Sequence, residues 1–360
     1  MAPTMDDVAR QAGVSKSTVS LALNDKPGIS AELKQNILQA ASELGYRLDK
    51  SRALGRPAVQ RTIAVVHSQP DDLSNRNPEP TGLFLHYLNG IRAFAQTANQ
   101  NLTVIADYSE GDTQGLAFHL LHHEERAFDG FILMGWSARQ ENRFVQQLVH
   151  NGIPAVALSR TWPETPISTV GPNYRQQVRL AIAHLTGLGH RQIAFVGRSD
   201  GVRFDWHHLR LDSYRAAMRQ LTGQVDDGLV VLGETGVDAV HKLLQQRPEI
   251  TAIFAVNDDV AIEVIQGLHE LGLNAPQDFS VLGQDDMVSF LQPDLGLTTV
   301  GFSHFGVGYL AASLLHQQFE TEYLSYGNLW VRSYLVERTS CGTPRRNPAL
   351  CLKTRVSSSN

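Results

Sequence analysis

Apolar residues along this chain keep two different rhythms. Between Met5 and Leu44 they recur every three or four positions, as one face of a helix requires. From Thr62 onward they gather into short unbroken runs separated by helical stretches. In the first region Met5, Val8, Ala9 and Ala12 share a face. Thr4, with Asp7 three residues on, has the capping-box arrangement that opens a helix. Gly13-Val14-Ser15 breaks that helix, and Ser15 is placed to cap a second one that turns Val19, Ala22 and Leu23 inward. Asn24-Asp25-Lys26-Pro27-Gly28 reads as a loop. Ser30 then caps a third helix with Leu33, Ile37, Ala40, Ala41 and Leu44 on one side, and Gly45 is its terminating glycine.

Residues 46–61 form a linker in which Arg47, Lys50, Arg52, Arg56 and Arg61 outweigh the single acid Asp49. Beyond it the apolar runs predict buried strands at Thr62–His67, Leu102–Asp107, Gly130–Met134, Pro154–Leu158, Gln192–Gly197, Thr251–Val256 and Phe279–Gly283. Helices fit between them, as at Asn173–Leu188 and Asp258–Leu271. Alternation of this kind implies parallel sheets with helices on both faces. The strands are too many for one compact sheet, so two α/β lobes are expected. A ligand cleft should lie beyond their C-terminal strand ends. The expected organisation is a head at 1–46, a hinge linker at 47–61, a two-lobed domain at 62–340 and a flexible tail at 341–360.

Composition sharpens this picture. The chain has 360 residues, of which 42% are apolar and 19% charged, which excludes a disordered polyelectrolyte. The net charge of −5 is unevenly spread. Nine basic residues stand against six acidic ones up to Arg61, and 22 against 30 in the remainder. So acidic a body repels phosphate, and any nucleic-acid contact is confined to the head. Two cysteines, Cys341 and Cys351, make neither a disulfide framework nor a zinc site and fit a reducing, cytoplasmic compartment. The opening stretch lacks the basic-then-apolar pattern of a signal peptide, and no apolar run has membrane-span length, so no membrane partner is expected.

Two short helices joined by a glycine turn are helix-turn-helix grammar. Ala9 and Ala12 allow the first helix to pack tightly on the second. Lys16, Ser17, Thr18 and Ser20 give the second a slim polar face suited to the major groove. Pattern alone leaves open a three-helix bundle with no DNA role. The run Thr4-x-x-Asp7-Val8-Ala9-x-x-Ala12-Gly13-Val14-Ser15-x-x-Thr18-Val19-Ser20-x-x-Leu23-Asn24, with Ser30 and Leu44-Gly45-Tyr46 after it, resembles the head signature of the lactose-repressor (LacI/GalR) family of bacterial regulators. The resemblance implies base-reading positions at Lys16, Ser17 and Leu21, and phosphate contacts at Ser15, Thr18, Ser20, Asn24 and Ser30. Leu21 stands where an arginine is common; it offers apolar contact, for instance to a thymine methyl, in place of a bidentate grip on guanine. Ser51-Arg52-Ala53-Leu54 resembles the family hinge but lies one residue closer to Tyr46. Leu54 is then the minor-groove wedge, or else a linker leucine that touches only protein.

The body continues the resemblance in His184-Leu185-x-x-Leu188-Gly189-His190-Arg191, Thr251-Ala252-Ile253-Phe254-Ala255-x-Asn257-Asp258, Gly283-x-Asp285-Asp286, Leu297-Thr298-Thr299-Val300 and Arg338-x-Ser340. It implies a periplasmic-binding-protein-like pair of lobes with three chain crossings, and effector contacts at Phe84, Arg160, Arg210, Asn257 and Asp285. Arginine, aspartate and asparagine with an aromatic ring suit a polyol, so a sugar or sugar derivative is the expected effector. Asn257 is expected both to cap a helix and to meet ligand. Pro172, Gln284, Ser213 and the long Ser68–Gly82 stretch depart from the family pattern, so ligand identity does not carry over.

Other motifs point elsewhere more weakly. Gly197-Arg198-Ser199-Asp200-Gly201 matches a nucleophile elbow but lacks a preceding glycine-rich oxyanion loop. His122-His123-Glu124-Glu125 and His207-His208 read as solvated face residues, because adjacent helical histidines diverge by about 100°. No phosphate-binding glycine loop follows a strand. The expectation is a non-enzymatic regulator, in the manner of a repressor. It needs no cofactor, binds a palindromic double-stranded operator as a homodimer, and answers to a small-molecule effector.

Overall fold

The structure, a computed structural model, describes residues 4–23, 28–44, 60–67, 82–106, 128–134, 143–159, 167–198, 205–287, 292–320 and 326–344. The chain divides into two compact units, with the boundary between Arg61 and Thr62.

The first unit holds α1 (Met5–Ala12), α2 (Lys16–Leu23) and α3 (Ala31–Glu43). Each start is fixed by the residue the sequence offers. Thr4 Oγ1 accepts from the Asp7 N–H at 3.3 Å while the Asp7 carboxylate accepts from the Thr4 N–H at 2.8 Å. Ser15 Oγ accepts from the Thr18 N–H at 3.2 Å, and Ser30 Oγ from the Leu33 N–H at 3.2 Å. Gly13 ends α1 in the left-handed conformation, φ 66°, as a residue without Cβ adopts freely. Val8, Ala9, Val19, Ala22, Ile37, Ala40 and Ala41 are buried together. Four alanines among seven core positions let three short helices approach closely, and Val8, Val19 and Ile37 supply roughly 1.5–3 kcal/mol of burial each. Gly45 lies outside the described residues.

The second unit has two six-stranded sheets. The first contains β1 (Thr62–His67), β2 (Asn101–Ala106), β3 (Gly130–Met134), β4 (Ala155–Leu158), β5 (Ser168–Pro172) and β11 (Asn328–Val331). The second contains β6 (Ile193–Gly197), β7 (Val230–Leu232), β8 (Ala252–Ala255), β9 (Ser280–Gln284), β10 (Thr298–Phe302) and β12 (Ser333–Val336). The orders are β11-β5-β4-β3-β1-β2 and β12-β10-β9-β8-β6-β7. Every pairing is parallel except β10 with β12. The chain leaves the first lobe after Pro172, returns after Phe302 and crosses again between Val331 and Ser333, giving the three expected crossings.

Parallel strands are covered on both faces, and β1 shows how one strand serves both. Ala64 and Val66 join Phe131, Leu133 and Phe144 on one side, beneath α5 (Arg143–His150). Ile63 and Val65 join Ile132, Val156 and Val307 on the other, beneath α4 (Gly82–Thr97) and α10 (His304–Glu320). Helices α4 and α10 cross at Gly90 and Gly308. A Cβ on Gly90 would strike the Phe305 carbonyl oxygen, and one on Gly308 the Tyr87 carbonyl oxygen. The second lobe is flanked by α6 (Tyr174–Gly187), α7 (Asp205–Thr222), α8 (Gly236–Gln246) and α9 (Asp258–Glu270).

All seven expected strands form, with no end shifted by more than one residue. Five more strands escape the hydrophobic pattern. β5 contains Gly171 and Pro172, β7 is three residues long, β11 has an exposed face, and β10 and β12 mix polar with apolar positions. The start of the expected tail is also held to the lobe. Gly342 donates to Ser280 Oγ at 3.0 Å, and its carbonyl oxygen lies 2.9 Å from Nε2 of the buried His190, whose Nδ1 meets Thr251 Oγ1 at 2.8 Å.

Candidate reading head and effector cleft

On the head, Ser15, Lys16 and Ser17 are exposed, and Thr18, Ser20 and Leu21 are half-buried. Ser15 Oγ lies 2.7 Å from Ser17 Oγ and 2.8 Å from Thr18 Oγ1, so three hydroxyls cluster at the N-terminal end of α2. The N-terminal end of a helix carries a positive dipole, which favours phosphate. Lys16 Nζ donates to Asp6 Oδ2 of α1 at 2.8 Å. Half-buried Leu21 lies near Gly28, where an added Cβ would stand 3.9 Å from Leu21 Cδ1. Exposed Ser30 spends its hydroxyl on capping α3. Asn24 and Leu54 fall outside the described residues.

In the body the centre of the candidate cleft is Arg210, on α7 and 2% exposed. One guanidinium nitrogen donates to the Val256 carbonyl at 2.7 Å and to Asp285 Oδ2 at 3.2 Å; the other donates to Asp285 Oδ1. The planar fork also lies 4.7 Å from the Trp206 ring centroid and 5.1 Å from that of Tyr174. Sequence reasoning did not name these rings. The signal for Trp206 was present, since it sits four residues before Arg210 on one helical face.

Asp285 follows β9 at φ 98° and Asp286 at φ 55°, a conformation non-glycine residues avoid. The surroundings impose it. The Asp285 N–H donates to the Val300 carbonyl at 2.9 Å. Buried Asp258 accepts from the Met287 N–H and the Thr299 hydroxyl, both at 2.6 Å, and Arg338 holds Asp286 at 2.7 Å. Asn257 caps α9, accepting from the Val260 N–H at 3.0 Å.

The first lobe supplies the facing side. Phe84 is buried with its ring 4.6 Å from that of His67. Three residues on, the Tyr87 hydroxyl lies 3.0 Å from Ser159 Oγ, while the Tyr174 hydroxyl donates to the Ser159 carbonyl at 2.8 Å. His304, at the return crossing, packs edge-on to Tyr87 at 5.4 Å and lies 4.2 Å from Phe302. Tyr87, Ser159, Tyr174 and His304 therefore join the two lobes around the Arg210–Asp285 pair. Arg160 lies outside the described residues.

Burial sets the protonation of this region. It lowers His304 to about 4, with Asp285 and Asp286 opposing and His86 and Arg210 reinforcing the shift. Burial lowers His207 to about 3, reinforced by Arg210, His208 and Arg198. Burial also raises Asp259, assisted by Asp285 and Glu263 and opposed by Arg198. His207 corrects the expectation of a solvated pair: it is buried with its ring 4.0 Å from that of Trp206, and only His208 is exposed. A helical period turns the first of two neighbours inward even when both are polar. Ser199, His122 and His123 lie outside the described residues. Among the described residues no three His, Cys, Asp or Glu side chains are arranged to hold a metal.

The comparisons divide along the same two units. The family model for bacterial regulatory proteins of the lacI family matches residues 4–49, and that for a periplasmic binding protein-like domain matches residues 182–341. Catabolite control protein A of Priestia megaterium is 28% identical over 326 residues, covering 89% of this chain and 93% of that protein. The ribose operon repressor of Escherichia coli (strain K12) is 29% identical over 345 residues, covering 94% and 99%. Among solved structures, the transcriptional regulator CelR in complex with cellobiose matches at TM-score 0.65 and 24% identity, covering 94% of this chain and 99% of that one. The lac repressor dimer bound to operator and the anti-inducer ONPF matches at TM-score 0.64 and 22% identity, covering 95% and 100%. These likenesses extend over the head and both lobes, and the chain belongs to the lacI family of bacterial regulatory proteins.

Proposed function

We propose that this protein is a cytoplasmic, non-enzymatic transcription repressor that reads a palindromic operator as a homodimer and is gated by a sugar or sugar derivative. The observation that carries the reading is the head. Its buried alanine-rich core presents the capped α2 outward with Ser15, Lys16, Ser17 and Thr18 at its leading end. Lys16, Ser17 and Leu21 are the base-reading candidates, and Ser15, Thr18, Ser20, Asn24 and Ser30 the phosphate contacts, with Leu54 the minor-groove wedge. The ribose operon repressor and the solved operator-bound dimer are relatives of matching length that support the assignment.

The effector reading rests on the cleft. Arg210 and Asp285 supply donors and acceptors, Trp206, Tyr174 and Phe84 supply ring faces, and Arg160 and Asn257 complete the candidate set. Arg210 Nε and His304 Nε2 are buried without a hydrogen-bond partner among the described residues, and both suit hydroxyl recognition. Ligand binding shifts the lobes and alters operator affinity by linkage. No described helix is long and apolar enough to cross a membrane.

Selection of bound duplexes from a random library, repeated with a panel of sugars, tests this. An enriched palindrome whose binding changes with one sugar is the expected result. Persistent specific binding by a chain lacking residues 1–56 would refute the assignment of the head.

A further inference from the structure

The two acidic residues that open α1 are used differently. Asp7 serves the capping box with Thr4 and meets Arg10 at 3.2 Å. Asp6 instead reaches across to α2 and holds Lys16 Nζ at 2.8 Å. The side chains of this pair are 58% and 59% exposed, so the contact adds little to the stability of the head. Its position is unfavourable for simple attraction to DNA, because it places a carboxylate on the leading edge of a phosphate-seeking surface.

A bare ammonium pairs with any phosphate oxygen and gains affinity without selectivity. An ammonium already holding a carboxylate has lost that gain at contact range, and what it presents is a donor beside an acceptor. Phosphate offers acceptors only. A base pair in the major groove offers both side by side: guanine N7 and O6 next to the cytosine N4 amine, or adenine N7 next to its N6 amine.

We propose that Asp6 is a specificity-determining residue of the head: its carboxylate positions Lys16 so that the pair reads a base edge and discriminates against phosphate. The proposal rests on the DNA-reading function assigned above. Asp6 orients the lysine and accepts from the base amine, and Lys16 donates to the neighbouring ring acceptor.

The test uses the full-length protein, with Asp6→Asn, Asp6→Glu, Lys16→Gln and the Asp6→Asn/Lys16→Gln double variant. The probes are a duplex pool with a randomised centre and one fixed mixed-sequence duplex titrated over a range of salt. Asp6→Asn is expected to bind the mixed duplex several-fold more tightly. Its plot of log affinity against log salt should steepen by about 0.9 for each head engaged. It should also lose base preference at one position of each half-site. Asp6→Glu should restore both properties, which loss of the helix fold would not allow. In the Lys16→Gln background Asp6→Asn should change the selected motif much less than it does beside Lys16.

The same motif and salt slope for wild type and Asp6→Asn would overturn the proposal while leaving the DNA-reading function standing. So would an equal effect of Asp6→Asn with and without Lys16, which would mark Asp6 as a general repulsive charge. No enriched motif for the wild type would overturn the DNA-reading function, and the role of Asp6 with it.

Discussion

Replacing Asp285 by Ala tests whether the Arg210–Asp285 pair organises the cleft. Arg210 is 2% exposed and the Asp285 side chain 18%, so solvent screens the pair little. Removal of the carboxylate leaves a buried guanidinium whose remaining acceptor among the described residues is the Val256 carbonyl. Breaking a buried pair from one side costs about 3–5 kcal/mol, because the surviving charge stays desolvated. In a body of this size each kcal/mol lowers Tm by roughly 2 °C, so Asp285→Ala should melt roughly 6–10 °C early. Asp285→Asn keeps an acceptor and should lose less. The double change Arg210→Met with Asp285→Ala removes both charges and should recover most of the loss, giving a coupling energy of about 2–3 kcal/mol in a double-mutant cycle. Urea unfolding of the four proteins supplies the cycle, and titration with the effector found by selection supplies the functional arm. If Asp285→Ala costs less than about 1 kcal/mol, or if the two changes simply add, the pair does not hold the site and the reasoning fails.

Other consequences can be checked separately. Gly308→Ala would place a methyl against the Tyr87 carbonyl where α4 crosses α10; we expect about 1–3 kcal/mol of destabilisation by urea unfolding and weakened effector binding, since Phe84 and Tyr87 lie on α4. His304 is held at about 4, below its ordinary value of 6.5, so the unfolded chain takes up its proton first as pH falls. Its contribution is present in full above pH 6.5 and lost progressively between 6.5 and 4, amounting to roughly 3 kcal/mol. His304→Phe should flatten that part of a Tm-against-pH curve, and an unchanged curve would contradict the assignment. Thr4→Ala removes half of the capping box, and the head should lose about 1 kcal/mol, read from the helical signal of α1–α3 on heating.

Much of the head was legible in the sequence because its determinants are local. A capping box spans four residues, a left-handed glycine ends a helix in place, and an apolar face repeats within one turn. Thr4, Gly13, Ser15 and Ser30 therefore do in the structure what their spacing implies. The same holds for strands buried on both faces, whose unbroken apolar runs announce them. β5 and β10–β12 were not announced, because they owe their form to neighbours distant in the chain. Thr169 and Asn328 share a hydrogen bond across the first sheet, and Phe302 pairs with Ser333 across the second.

By itself the sequence determined the helices of the head, the seven strands with unbroken apolar runs, the lacI-family signature and the identity of Arg210, Asn257 and Asp285 as candidate ligand contacts. Whereas the Asn257 cap is local, tertiary structure alone decided the partners of Arg210 and Asp285. It brought Arg210 to Asp285 from 75 residues away, set Trp206 and Tyr174 on its faces, and placed Asp6 against Lys16. The physical reason is that hydrophobic periodicity specifies which side of an element is buried. The strength of a buried charge pair, the proton affinity of a histidine and the meaning of an exposed lysine depend instead on atoms that only folding brings together.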